Sequence, residues 1–453
     1  MDTVHGISSD HSELAAELSR NGVQYAVGSW IDVLGRPKSK VVPIDHLPNL
    51  VAGSERYTPR GMGGIGRMNP IEDEVVGIAD VSTLKVLPWD RRFAWMLADM
   101  SLGGREPFAL CPRSILKRQI GNAVDMGFRC QLGIEPEFYV FRPESLESGS
   151  TRLTPIALSG EIKPSPAYDV EASLDAMPFL HRVTTYMKEL DFGLFSFDAE
   201  GGEGQYEFDF DHAEVLASAD RMTLFRLLVR QAAKESGLVA TFMPKPFADV
   251  WGSGAHFNMS LEQYDTGENV FKAGTGNNGW RKEALHFAGG ILKHAKALAA
   301  LSNPTTNSYR RLVPKLADGN YSWAPTRISY GHNNRSCMLR LPANRPAIEN
   351  RSVDSAANTH LTAAYMLAAG LEGIREGIDP GEAKDSLSYT NSEIDVLPRT
   401  LLDAVEAFER DPLTYEVFHE AFIRDYSEMK RDEWEASHAE VTDFERTTYL
   451  LNL

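Results

Sequence analysis

The stretch Gln131-Leu132-Gly133-Ile134-Glu135-Pro136-Glu137-Phe138-Tyr139-Val140 reads as a strand with two unlike faces. Side chains alternate across a strand, so Glu135 and Glu137 share one face while Leu132, Ile134, Phe138 and Val140 share the other. An acidic face on a single strand usually means solvent. Here two further segments repeat the arrangement with complementary groups. Gly204 to Phe210 sets Gln205, Glu207 and Asp209 opposite Tyr206, Phe208 and Phe210, with Glu200 just upstream. Gly254 to Leu261 sets His256, Asn258 and Ser260 opposite Phe257, Met259 and Leu261, and Ile348 to Arg351 puts Glu349 and Arg351 on one side. A sheet curled so that these faces converge has a carboxylate-lined interior, suited to Mg²⁺ or Mn²⁺ with an occasional imidazole. His256 alone would more commonly be a packed or surface residue; only the constellation promotes it.

A cationic set lies further along: Arg310, Arg311, Arg335, Arg340, Arg345 and Arg351. Guanidinium forks recognise carboxylates and phosphates bidentately, although each taken singly is as easily a surface ion pair. Carboxylates and guanidiniums together are what a site for metal, ATP and an acidic substrate requires.

Working outward, 453 residues exceed one compact core, and the pattern changes near Gly103 to Glu106. Two domains are expected, 1–105 and 106–453. Residues 23–43 read as a hairpin turning at Asp32–Pro37, and Arg60–Arg67 as a Gly-rich loop that offers a weak anion cradle. Helices are expected at 113–126, 173–190, 220–236, 282–301, 358–378 and 399–409, with a polar loop at 265–278. A formal net charge of −17 argues against nucleic acid or an anionic membrane as partner, both of which want a basic surface. Three separated cysteines suggest neither a disulfide framework nor a zinc cluster. The N-terminal residues lack a signal pattern and no apolar run reaches bilayer length, so a cytoplasmic location is expected.

The segments that carry this chemistry resemble the glutamine synthetase family: GIEPEFYVF (133–141), EGGEGQYEF (200–208), ATFMPKPFADVWGSGAHFNMSL (240–261) and HAKALAALSNPTTNSYRRLVP (294–314). NNRSCMLRLP (333–342), AIENRSVDSAAN (347–358) and VTDFERTTYL (441–450) extend the resemblance. It implies an α+β fold, with a small N-terminal β-grasp domain and a catalytic domain built on a curved antiparallel sheet with flanking helices. It implies at least two divalent metals per site, one on Glu137, Glu200 and Glu207, the other on Glu135, His256 and Glu349. Arg311 and Arg351 match residues that hold the substrate glutamate, which Gly252 approaches through its backbone. Arg335 and Arg340 match residues facing ATP and the transferring phosphoryl group, with Asn258 and Ser260 near the nucleotide. Further implications are an ATP-dependent ligation of an amine to glutamate through γ-glutamyl phosphate, and a homo-oligomer of hexameric rings, doubled to a dodecamer, with active sites between subunits.

The chain departs from the family pattern at the amine. Where bacterial members carry an acid before the Gly-rich loop, Arg56-Tyr57-Thr58-Pro59 has none, and the flap Glu-Ala-Pro is replaced by Trp323-Ala324-Pro325 after extra residues 316–322. Asn258 replaces a second histidine, and Trp251 stands where asparagine usually precedes the glycine turn. An indole suits an alkylammonium better than NH₄⁺, so a short primary amine, methylamine foremost, is expected, with Trp323 acting at the amine. Alternatives remain: Glu55 or Asp318 restores an ammonia site; the amine is ethanolamine, isopropylamine or a polyamine; the chain is a two-metal hydrolase; or it is a non-catalytic relative. Tyr389 lies near the place of the family's regulatory tyrosine, in poorly matching surroundings.

Overall fold

The computed structural model describes residues 9–59, 71–104, 106–143, 166–272 and 279–451. The Gly-rich stretch 60–67 and part of the 265–278 loop lie outside these residues. Among them, the first sheet contains β1 (Tyr25–Ile31), β2 (Pro37–Pro43), β3 (Glu55–Tyr57), β4 (Val75–Ala79), β5 (Lys85–Val86), β6 (Phe93–Leu102) and β7 (Glu106–Pro107). Its order is β2-β1-β6-β4-β3, with β5 and β7 also on β6. The expected hairpin is β1–β2, with Tyr25 opposite Pro43 and Ile31 opposite Pro37. Asp32 closes the turn by accepting from the Leu34 and Arg36 amides, both at 2.9 Å, while Gly35 takes the left-handed φ of +74° the turn needs.

The second sheet holds β8 (Phe128–Phe141), β9 (Leu194–Ala199), β10 (Gln205–Phe210), β11 (Ala213–Glu214), β12 (Val239–Thr241), β13 (Ala255–Gln263), β14 (Tyr330–His332), β15 (Leu339–Leu341) and β16 (Ile348–Asn350). The order is β14-β15-β16-β13-β8-β10-β9, antiparallel except for β14–β15, with β11 and β12 flanking β8. Register does the functional work. His256 lies opposite Glu135, Glu207 opposite Glu137, and Glu349 opposite both Asn258 and Arg340. The apolar faces bury against helices, where Phe138 meets Phe179, Phe208, Phe225 and Phe242 in one aromatic cluster. A one-residue slip would turn every carboxylate into that cluster.

Helices flank this sheet, much as the periodicity predicts at Pro112–Asp125, Thr359–Glu376 and Leu401–Arg410. The predicted 220–236 helix begins earlier, at Val215. Two expected continuous helices are each two. Met177–Glu189 is preceded by a separate Val170–Asp175, with proline near its start, where it lacks only an already orphaned N–H. Lys282–Lys293 and Ala295–Ser302 break at His294, whose imidazole is clamped between Asp411, at 2.8 Å, and Glu372. Helices not anticipated from pattern include Ser9–Arg20 and Glu420–His438. No described helix is long and apolar enough to cross a membrane.

The two sheets share one continuous apolar core, running from Trp30 and Met100 through Leu116 to Phe138. Arg113, buried beside it, donates to Asp80 (2.7 Å) and Asp99 (3.0 Å) of the first sheet region and to Asp220 (3.0 Å) of the long helix. Burial alone would discourage its charge, but Asp220 and Asp99 raise the guanidinium above its ordinary value. Asn358 adds a hydrogen bond to the Asp32 carbonyl at 2.9 Å.

Candidate active site

The polar faces of β8, β10 and β13 line a cavity of about 440 Å³. Six carboxylates (Glu135, Glu137, Asp198, Glu200, Glu207, Asp209) and five guanidiniums (Arg311, Arg335, Arg340, Arg345, Arg351) face it, together with His256, Trp251 and Trp323. Donor atoms of Glu135, His256 and Glu349 lie within 4.8 Å of one another, as do those of Glu137, Glu207 and His256. Of the expected first triad, Glu137 and Glu207 are in a close group with His256, while Glu200 lines the same cavity outside that group.

The charges are unevenly matched. Glu349, wholly buried, is gripped by Arg351 (2.6 Å), Arg340 (2.7 Å) and Arg345 (3.1 Å). Burial would raise its carboxyl, yet Arg351 and Arg340 hold it below the ordinary value. Along β9 and β10 the balance reverses: among the described residues, no lysine or arginine lies within ion-pair distance of Glu200, Glu207 or Asp209. Burial, then the neighbouring Glu137, pushes Glu200 up to about 8. Burial with Glu135 lifts Asp209 to about 7 and Glu207 well above its usual range, and Asp209 Oδ1 is buried without a hydrogen-bond partner among the described residues. Burial and the nearby Arg351 keep His256 neutral, the form in which imidazole binds metal.

This donor set fits divalent cations. Oxygens converge with one neutral imidazole, the carboxylates repel one another, and a buried oxygen lacks a donor, which a hard cation would correct.

The arginines sit as follows. Arg311 gives one donor to the Ser352 carbonyl (3.0 Å) and another to the Arg351 carbonyl (3.1 Å) and still lines the cavity. Arg351 is more committed, to Glu349, the Arg335 carbonyl (3.2 Å) and the Trp323 carbonyl (3.4 Å), which use three of its five N–H groups and leave one on each terminal nitrogen. Arg340 Nε is buried without a hydrogen-bond partner among the described residues. Gly252 must be glycine, since a Cβ there would come within 2.6 Å of the Pro244 carbonyl and 2.8 Å of Arg311 Cγ.

Asn258 and Ser260 lie in an adjoining cavity of about 310 Å³ with Phe195, His212 and Pro346, joined to the first at Glu135, Asp209 and Arg345. Arg345, noted in sequence only as one of the arginines, is the hinge between the two. It donates to Asn258 (2.9 Å) and to Glu135 (2.9 Å), and its four-residue spacing from Glu349 is the signal that could have singled it out.

At the mouth, Trp323 is 45% exposed and holds φ +61°, a left-handed conformation that costs a non-glycine residue and marks a constrained position. Its ring lies 6.0 Å from that of Trp251, and Trp251 in turn covers Gly201, where a Cβ would strike the indole. Sequence reading noted Trp251 only as a departure; the structure makes it the second wall of an aromatic cleft. Asp318 is exposed and bonded to Asn320, and Glu55 pairs with Lys40, so neither lines this chain's cavity. Tyr389 is 8% exposed and stacks on Tyr321 at 5.5 Å behind the flap, a poor position for modification.

Comparison with known proteins agrees with this geometry. A family model described as "Glutamine synthetase, catalytic domain" matches residues 109–449. A glutamine synthetase of Rhizobium meliloti is 32% identical over 443 residues, 97% of this chain and 99% of the relative. A glutamate–methylamine ligase of Methyloversatilis universalis is 33% identical over 451 residues, again 97% and 99%. The solved structure titled "GmaS/ADP complex" superposes with a TM-score of 0.88 at 33% identity, covering 97% of this chain and 99% of that one.

Proposed function

The chain belongs to the glutamine synthetase family, and we propose that it joins a short primary amine, methylamine foremost, to the γ-carboxylate of L-glutamate. As a member it is an ATP-dependent carbon–nitrogen ligase. The observation that carries the finer reading is the cleft of Trp251 and Trp323, two indoles lining the cavity, with Trp323 standing where the family's flap carries an acid. The relative named for methylamine supports it.

A carboxylate resists attack by an amine because its oxygen is a poor leaving group. Phosphorylation by ATP makes γ-glutamyl phosphate, which the amine's lone pair opens at the acyl carbon as phosphate departs. Two divalent cations, Mg²⁺ or Mn²⁺, held by Glu137, Glu200 and Glu207 and by Glu135, His256 and Glu349, would offset phosphate charge. Arg335 and Arg340 face the transferring group, and Arg340's unpartnered Nε is a ready donor to it. Arg311 and Arg351 hold glutamate, with the Gly252 backbone against it. Asn258 and Ser260 take the nucleotide end in the adjoining cavity. Trp323 and Trp251 exclude water and favour a methylated cation: burying one methyl contributes about 0.8 kcal/mol and the indole face about 1 kcal/mol, a preference on the order of tenfold to thirtyfold over ammonium.

Thr58, exposed at the edge of the first sheet, does not line the cavity of its own chain. This supports a ring in which a neighbour completes each site, to be checked by light scattering, where a monomer would contradict it. The function is tested by ADP release with glutamate and Mg²⁺. Release should require both glutamate and an amine, with higher kcat/KM for methylamine than for ammonia or ethylamine; amine-independent release would remove the ligase reading.

A further inference from the structure

Away from the catalytic cavity, a second pocket of about 350 Å³ opens between the β1–β2 turn, the long Val215–Glu235 helix and the Ser355–Asn358 segment. Its polar lining is cationic: Arg36, Arg226, Arg230 and Lys430, against a single carboxylate, Glu433. Two of these charges are answered. Lys430 pairs with Glu433 at 2.9 Å, and Arg36 with Asp32 at 3.0 Å. Arg226 and Arg230 are not, for among the described residues neither has a carboxylate within ion-pair distance.

Arg226 is the telling group. It is only 8% exposed, gives Nη2 to the Ser355 and Ala357 carbonyls at 2.8 Å each, and keeps Nε buried without an acceptor among the described residues. Its guanidinium lies 5.9 Å from the Phe242 ring and that of Arg230 lies 5.4 Å from the same ring, so two like charges share one aromatic ring. Burial and then Arg230 lower the Arg226 guanidinium to about 10. A buried, unpaired cation with a spare donor beside a cavity is an unfavourable arrangement that an anion would relieve.

We infer that this pocket binds a small oxyanion, a phosphate or a short dicarboxylate, on Arg226 and Arg230. The volume is ample for either, and guanidinium forks match both groups. The site has a physical route to the catalytic cavity. The Ser355 carbonyl accepts from Arg226, and the Ser355 hydroxyl, with one proton to donate, lies 2.6 Å from both the Glu137 and the Gly254 carbonyl oxygens. An anion that draws on Arg226 therefore bears on the segment that positions Glu137.

The test is thermal unfolding of the full-length protein titrated with inorganic phosphate and, separately, with glutarate, at constant ionic strength balanced by chloride. Saturable stabilisation by either is expected, and which of them acts identifies the source of the oxyanion. Arg226→Met should remove the effect. Because that variant also loses two carbonyl contacts, the exposed Arg230→Gln is the decisive one, raising the half-saturating concentration about fivefold or more. No saturable stabilisation in the wild type, or an unchanged half-saturating concentration in Arg230→Gln, overturns the inference; the latter would assign the binding to the catalytic cavity.

Discussion

Two buried clusters of charge in this molecule are built on opposite plans. At the junction of the sheets, Arg113 and Lys117 face Asp80, Asp99 and Asp220, with His360 also on Asp220 at 2.8 Å, and each carboxylate meets a donor. In the catalytic cavity, Glu200, Glu207 and Asp209 crowd together with no lysine or arginine among the described residues in ion-pair range, and all three carboxyls are lifted above their ordinary values. The first cluster is closed and holds the fold; the second is frustrated until something enters it. Charge complementarity, rather than burial, separates a structural network from a site.

Breaking each cluster should therefore have opposite consequences. Glu200→Ala or Glu137→Ala should lower ligase turnover by about three orders of magnitude or more at saturating Mg²⁺, while in Glu200→Ala the metal-free stability holds or rises. Near-normal turnover in either variant would sink the metal assignment. Arg113→Met removes the partner that three aspartates share, leaving Asp99 to Lys117 and Asp220 to His360, and should cost roughly 3–5 kcal/mol of unfolding free energy, measured by denaturant titration, with per-molecule activity of the folded fraction little changed. Equal stability losses in the two clusters would erase the distinction.

Arg311→Ala sharpens the division within the cavity. Losing a charge-assisted contact of about 1.5–3 kcal/mol should raise the KM for glutamate by roughly ten- to a hundredfold, with a smaller effect on kcat. An unchanged KM would count against that role.

The smallest effect concerns pH. A carboxyl raised on folding binds protons more readily in the native state, so stability is fully present below its unfolded pKa and is lost as pH rises through the folded one. For Glu200 that window runs from 4.5 to about 8, and for Asp209 from 3.8 to about 7. Metal-free protein should lose stability across it, and Mn²⁺ should restore more at pH 8 than at pH 6, since metal competes with protons. A pH-independent Mn²⁺ effect on the melting temperature would contradict the frustrated-cluster account.

What could be read from sequence follows from the range of the forces involved. The two-residue period of the strand at 131–140 is a local property, so the division between Glu135 and Glu137 on one side and Phe138 and Val140 on the other was legible. So was the β1–β2 turn, because Asp32 and Gly35 carry its geometry themselves. Registers between distant strands were not, since nothing near His256 announces Glu135 as its neighbour. The break at His294 depends on Glu372 and Asp411, and the closed cluster on Arg113 meeting Asp220 across 107 positions. Trp251 looked like a lone departure until folding set it beside Trp323.

That aromatic cleft is also where the central claim is most exposed. Wild-type protein given glutamate, ATP, Mg²⁺ and equal concentrations of methylamine and ammonia free base should form γ-glutamylmethylamide over glutamine by about tenfold or more, read by mass spectrometry of the products. In Trp323→Glu the ratio should move toward glutamine. Glutamine as the main product of the wild type would contradict the account, leaving a glutamine synthetase whose two indoles serve something other than the choice of amine.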